Sequence, residues 1–203
     1  MNQFLRSLVS SIQSRFGKPM APSQAMLSQK IGWIAQSIAD PQEFEQRARS
    51  VAKDIGPAEL ANMKAQLHLE HTPPEHLQTQ FPQLGGWLTA RQFAVFEVLF
   101  YVGTPALPLV KEVAYGPYDW TQGNAIEILC RFAAQEPGRD ELVNALLEAG
   151  PSFCWEALLY ALGPLKQRAA ADPAIQRVID QLRMQADFSE AYDELCSAVP
   201  LTS

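Results

Sequence analysis

The sequence contains no apolar run approaching the roughly 18 residues that a helix needs to cross a bilayer, so no membrane span is expected. It has no CxxC pair. Its three cysteines, Cys130, Cys154 and Cys196, are odd in number and far apart. That pattern points away from a zinc site or a disulfide framework and towards buried reduced thiols in a cytoplasmic protein. GxGxxG and GxxxxGK[ST] phosphate loops are missing, as are HExxH and the GxSxG elbow. No cofactor, metal or catalytic residue is therefore assigned. Basic charge is also scarce: 16 Lys and Arg stand against 22 Asp and Glu, a net charge of −6 and an isoelectric point near 5.1. A protein that clamps nucleic-acid phosphates wants a basic face, which argues against nucleic acid as the partner. Strand signals are few, with no Asn-Gly or Asp-Gly hairpin turn.

What is present reads as helix. The 203 residues are 47% hydrophobic and 19% charged, a globular composition sufficient for one or two domains. Apolar residues recur at i, i+3, i+4 and i+7, and prolines punctuate the segments, among them Pro41, Pro57, Pro105, Pro164 and Pro173. An all-α chain of about ten to twelve helices follows at typical helix lengths. At the N-terminus Phe4, Leu5, Leu8, Val9, Ile12 and Phe16 fall at helical spacing, and Arg6, Ser7, Ser10 and Ser11 interrupt any signal-peptide core. Residues 1–80 carry 8 Lys/Arg and 7 Asp/Glu, a net of +1; residues 81–203 carry 8 and 15, a net of −7. The change falls near the punctuated stretch from Thr72-Pro73-Pro74 to Gly85-Gly86. It suggests an N-terminal helical cap (1–80) joined to a C-terminal repeat region (81–203) within one continuous domain.

The repeat signal lies in the C-terminal part. Phe96-Glu97-Val98-Leu99 recurs as Ile126-Glu127-Ile128-Leu129, 30 residues on, and as Trp155-Glu156-Ala157-Leu158, 29 residues later. Each copy precedes a breaker (Gly103-Thr104-Pro105, Pro137-Gly138, Gly163-Pro164) and then a second helical segment, 106–114, 140–149 and 173–183. A long helix, a turn and a shorter helix at this period is the pattern of an α-solenoid, in which each hairpin buries its apolar face only by stacking on neighbours. Residues 105–134, from Pro105-Ala-Leu-Pro-Leu-Val through Ile126-Glu-Ile-Leu-Cys-Arg-Phe-Ala-Ala134, resemble HEAT-type repeats, as found in small bacterial HEAT-like proteins. The resemblance spans roughly residues 88–183. It implies a right-handed superhelix of antiparallel helix pairs and a surface for binding rather than a reaction. The segment 187–203 reads as a capping helix with a frayed end.

Three constellations stand out. His68, His71 and His76 are the only histidines; on one helix the first two share a face, which two metal ligands require, and a polar helix end is the plainer reading. The loop 115–124 brings Tyr118, Asp119 and Trp120 together. Asp119 or Thr121 is suited to capping the next helix, Gly123 to a close helix contact, and Trp120 either to stapling the loop onto the core or to an exposed contact. Glu97, Glu127 and Glu156 share one repeat position, so stacked repeats align them as a ladder. That ladder is either an acidic ridge for a basic partner or a set of acceptors for arginines such as Arg91 and Arg131. The expectation is a non-enzymatic protein–protein interaction module, monomeric or weakly dimeric. Its partner is a basic protein engaged through Glu97, Glu127, Glu156, Tyr118, Asp119 and Trp120. By analogy such a module serves as an immunity protein against a toxin, or as an adaptor for a secreted effector. The HEAT-like resemblance also implies an alternative, a DNA-processing enzyme of the alkylpurine glycosylase type, with Asp119, Trp120 and Trp155 in the site.

Overall fold

The computed structural model describes residues 22–117, 119–135, 140–149 and 155–197. The expected N-terminal amphipathic helix, Tyr118 and Cys154 lie outside them. Among the described residues there are ten α-helices and no strand: α1 (Pro22–Ala35), α2 (Pro41–Ala52), α3 (Pro57–Gln66), α4 (Leu84–Val102), α5 (Leu107–Ala114), α6 (Gln122–Gln135), α7 (Asp140–Ala149), α8 (Trp155–Ala169), α9 (Pro173–Leu182) and α10 (Ala186–Ser197).

Local chemistry explains the boundaries. Helices α2, α3 and α9 begin on a proline, whose missing N–H is one the first turn leaves unbonded anyway. Asp40 Oδ1 accepts the amides of Gln42 and Glu43 (3.1 Å each), and Asp172 Oδ1 that of Ala174 (2.8 Å), so two helix starts are capped by carboxylates. Gly103 ends α4 at φ 78°, a backbone conformation that a β-carbon disfavours. The expected break at Gly163-Pro164 does not occur, because Pro164 sits inside α8. One backbone bond is forfeited, but Ala161, Leu162 and Leu165 are fully buried on either side and hold the helix against the core.

The long helices occupy the centre. α4 is apolar around most of its circumference, and Ala94, Val95, Val98 and Leu99 are fully buried. It packs against α1, α2 and α3 on one side and α6 on the other. α6 in turn packs on α5, α7, α8 and α9. Contact partners advance together along these neighbours: Glu97 meets Arg131 and Phe100 meets Phe132 between α4 and α6. Between α6 and α8, Gly123 abuts Ala157 and Tyr160, while Glu127 meets Arg168. Helices α4, α6 and α8 therefore run parallel, with the shorter α5 and α7 between them in sequence. The buried side chains of α1–α3 belong to the same hydrophobic cluster as those of the later helices, so the stretch 72–83 is a connector over one continuous core.

Candidate functional site: a charge-lined groove

A groove crosses α2, α4, α6, α8 and the start of α9 as three adjoining clefts. One of about 340 Å³ lies between Phe44, Phe93, Pro164 and Arg168. A second, of about 580 Å³, lies between Arg49, Tyr101, Arg131 and Ile175. The third, of about 750 Å³, has apolar walls from Ile55, Leu60, Val102 and Pro105 beside Arg49 and Lys53. Neighbouring clefts share Glu45 and Arg168, then Arg49 and Tyr101, which makes the groove continuous.

Glu97 and Glu127 form its floor rather than an open ridge. Glu97 is 6% exposed and Glu127 4%. Arg131 donates to both carboxylate oxygens of Glu97, from Nη1 at 2.7 Å and Nη2 at 2.8 Å, and lies 3.7 Å from Glu127. Arg168 donates from Nε to Glu127 at 2.9 Å, and its Nη2 lies 3.6 Å from Glu97. The Arg131 guanidinium also stacks on Phe100, 3.7 Å from the ring centroid. Burial pushes the Glu127 carboxyl upward, against the pull of Arg131 and Arg168. Burial draws Arg131 down, but its bonds to Glu97 and the field of both glutamates carry it above the ordinary arginine value.

Beside this lattice, Tyr101 donates its hydroxyl hydrogen to Glu45, which also pairs with Arg49 at 2.6 Å. Those bonds, from Tyr101 first and then Arg49, hold the Glu45 carboxyl below its usual range. Burial and the Glu45 bond push the Tyr101 hydroxyl well up. Each of the three carboxylates thus has a guanidinium partner. The floor is therefore nearly neutral, with Arg49 and Arg168 half-exposed at its rim.

The other expected residues lie elsewhere. Glu156 is in the first turn of α8, and its side chain is not among those described. Asp119 ties down the entry to α6, its Oδ1 accepting the Thr121 amide at 2.6 Å and the Thr121 hydroxyl. Trp120 does not staple the loop to the core; it is 46% exposed. Gly123 makes the close contact expected of it: an added Cβ would stand 2.6 Å from Tyr160 Cβ and 2.7 Å from the Ala157 carbonyl oxygen.

The histidines separate because α3 ends at Gln66 and the chain then leaves the helix. His68 faces Asp119 at 3.4 Å, while His71 Nε2 bonds Ser28 Oγ at 2.7 Å. Among the described residues no cluster of three His, Cys, Asp or Glu is placed to hold a metal. Cys130 is buried, as expected, whereas Cys196 is exposed. The residues that sequence reasoning missed are Glu45, Arg49, Tyr101 and Arg168. Arg168 follows the third Glu copy by twelve positions and carries no local motif. No described helix is long and apolar enough to cross a membrane. No family model, characterised protein or solved structure matches the chain.

Proposed function

We propose that the chain is a non-enzymatic, HEAT-like binding module that holds an apolar segment of a partner protein in this groove. The observation that carries the reading is the self-neutralised floor: Glu45, Glu97 and Glu127 are bound by Arg49, Arg131 and Arg168. General acid–base chemistry needs a carboxyl free to exchange a proton with a substrate. A floor whose charges are already paired offers shape and apolar walls instead. The HEAT-like reading draws support from the parallel succession α4, α6, α8 with short helices between, the arrangement that stacked helix pairs produce.

The acidic excess acts at longer range. Glu141 and Glu148 on α7, Asp180 on α9, and Glu190 and Glu194 on α10 are exposed, and their field favours encounter with a basic protein. Affinity capture at graded salt tests both elements. Leu60→Glu in the groove wall should abolish retention of the partner at every salt concentration. Glu141→Lys with Glu148→Lys should weaken it at low salt only. Retention unaffected by Leu60→Glu refutes the groove reading. Salt-dependent retention of duplex DNA favours the glycosylase-type alternative.

A further inference from the structure

A second site lies on the opposite flank of α4, in a cleft of about 320 Å³ between α1, the loop after α3, and α4. It shares no lining residue with the groove. At its base Arg91 is 3% exposed, a buried cation with no Asp or Glu beside it among the described residues. Its guanidinium donates to neutral acceptors only: Ser28 O at 3.2 Å, Ser28 Oγ at 2.8 Å and Gln66 Oε1 at 3.3 Å. Burial alone lowers its pKa to about 10, so it stays charged at neutral pH. None of the cleft's lining residues is acidic, and neither is any of residues 1–21, which lead into α1.

An uncompensated buried charge is costly, and buried charges are ordinarily paired. Two more donors are orphaned in the same place. Arg91 Nε and the indole Nε1 of Trp87, itself 2% exposed, are buried with no acceptor among the described residues. Both side chains line the cleft. Gly32 leaves it open, since a Cβ there would stand 3.1 Å from Arg91 Nη1 and 3.9 Å from the Trp87 ring.

Ser28 Oγ accepts from Arg91 Nη2 and is also hydrogen-bonded to His71 Nε2 at 2.7 Å. Burial first, and Arg91 second, lower the His71 pKa, which keeps that imidazole neutral. The Arg91 and Trp87 side chains thus carry one positive charge and two enclosed, unpaired N–H groups, and Trp87, Ala25 and Pro74 give the cleft apolar walls.

We propose that this cleft is a binding site for a small monocarboxylate, whose two oxygens take Arg91 Nε and Trp87 Nε1 and whose single charge neutralises Arg91. A dianionic phosphate is a poorer match, because the site supplies one charge and few donors.

The test is a ¹⁵N NMR titration of the full chain with acetate, propanoate and benzoate, and with inorganic phosphate at matched ionic strength. Trp87→Phe assigns the Trp87 indole N–H resonance. In the unaltered protein that resonance should move saturably with carboxylates. Arg91→Gln should weaken binding at least tenfold. Trp87→Phe should weaken it about tenfold, as loss of one hydrogen bond to a charged group does. Gly32→Ala, which narrows the cleft without removing a donor, should also weaken binding and serves if Arg91→Gln unfolds. An indole resonance that does not saturate with any carboxylate overturns the proposal. So does tighter binding of phosphate, or binding indifferent to Trp87→Phe. Because the two sites share no residue, none of these results bears on the groove.

Discussion

Removing the Arg131 guanidinium should be among the most damaging single changes in the protein. Arg131→Met keeps an unbranched apolar stem against Phe100 but strands Glu97. That carboxylate then has only Arg168, 3.6 Å away, and Glu127 loses a partner at 3.7 Å. Arg131 and Glu97 side chains are 4% and 7% exposed, so water cannot replace the two lost bonds of 2.7 and 2.8 Å. Breaking one side of a buried ion pair costs about 3–5 kcal/mol. For a chain of this size that is a fall in Tm of roughly 6–20 °C. Urea unfolding followed by circular dichroism should show the lower midpoint with an unchanged slope. Adding Glu97→Leu removes the stranded charge, so the double variant should be more stable than Arg131→Met alone. A loss below about 1 kcal/mol for Arg131→Met, or strict additivity in the double variant, would refute the claim that the floor is a coupled buried network.

Three further outcomes follow from the packing and the charges. Gly123→Ala forces a Cβ against the Ala157 backbone and Tyr160, and should cost about 1–3 kcal/mol in chemical denaturation. His71 has its folded pKa lowered by burial, so its neutral form contributes stability above pH 6.5 that is lost as pH falls through the folded value. His71→Gln should flatten that part of the stability–pH curve; an unchanged slope there contradicts the buried neutral imidazole. Cys196 is exposed and should react with a maleimide in the native protein. Cys130, whose thiol burial pushes far up, should react only after unfolding, as peptide mapping of the labelled chain would reveal.

Much of the architecture was legible because helix ends have local causes. Asp40-Pro41, Gly56-Pro57 and Asp172-Pro173 mark three helix starts, and Gly103 marks the end of α4. The Phe96, Ile126 and Trp155 copies fall on the three long parallel helices. Gly163-Pro164 misled, because the tertiary burial of its neighbours outweighs one lost hydrogen bond. The glutamate ladder was half legible. Repeat position aligned Glu97 with Glu127, and Arg131 stood as a candidate partner, but the reach of Arg168 from α8 back to α4 has no sequence signature. The Ser28–His71–Arg91 cluster was illegible for the same reason: its members are 20 to 63 positions apart and meet only through α1, α4 and a proline-rich loop. Trp120 shows that an aromatic in a loop does not announce whether it faces in or out.

The lattice of Glu97, Arg131, Glu127 and Arg168 also works as a ruler. Hydrophobic burial is non-directional, so it specifies the offset between helices less sharply than paired charges do. A slip of α6 by one helical turn, about 5.4 Å, would instead leave buried charges facing carbon on both sides. The ion pairs therefore set the spacing and offset of three successive helices. An insertion or deletion within any of them is penalised far more heavily than one in the loops between. The groove keeps a fixed curvature as a result.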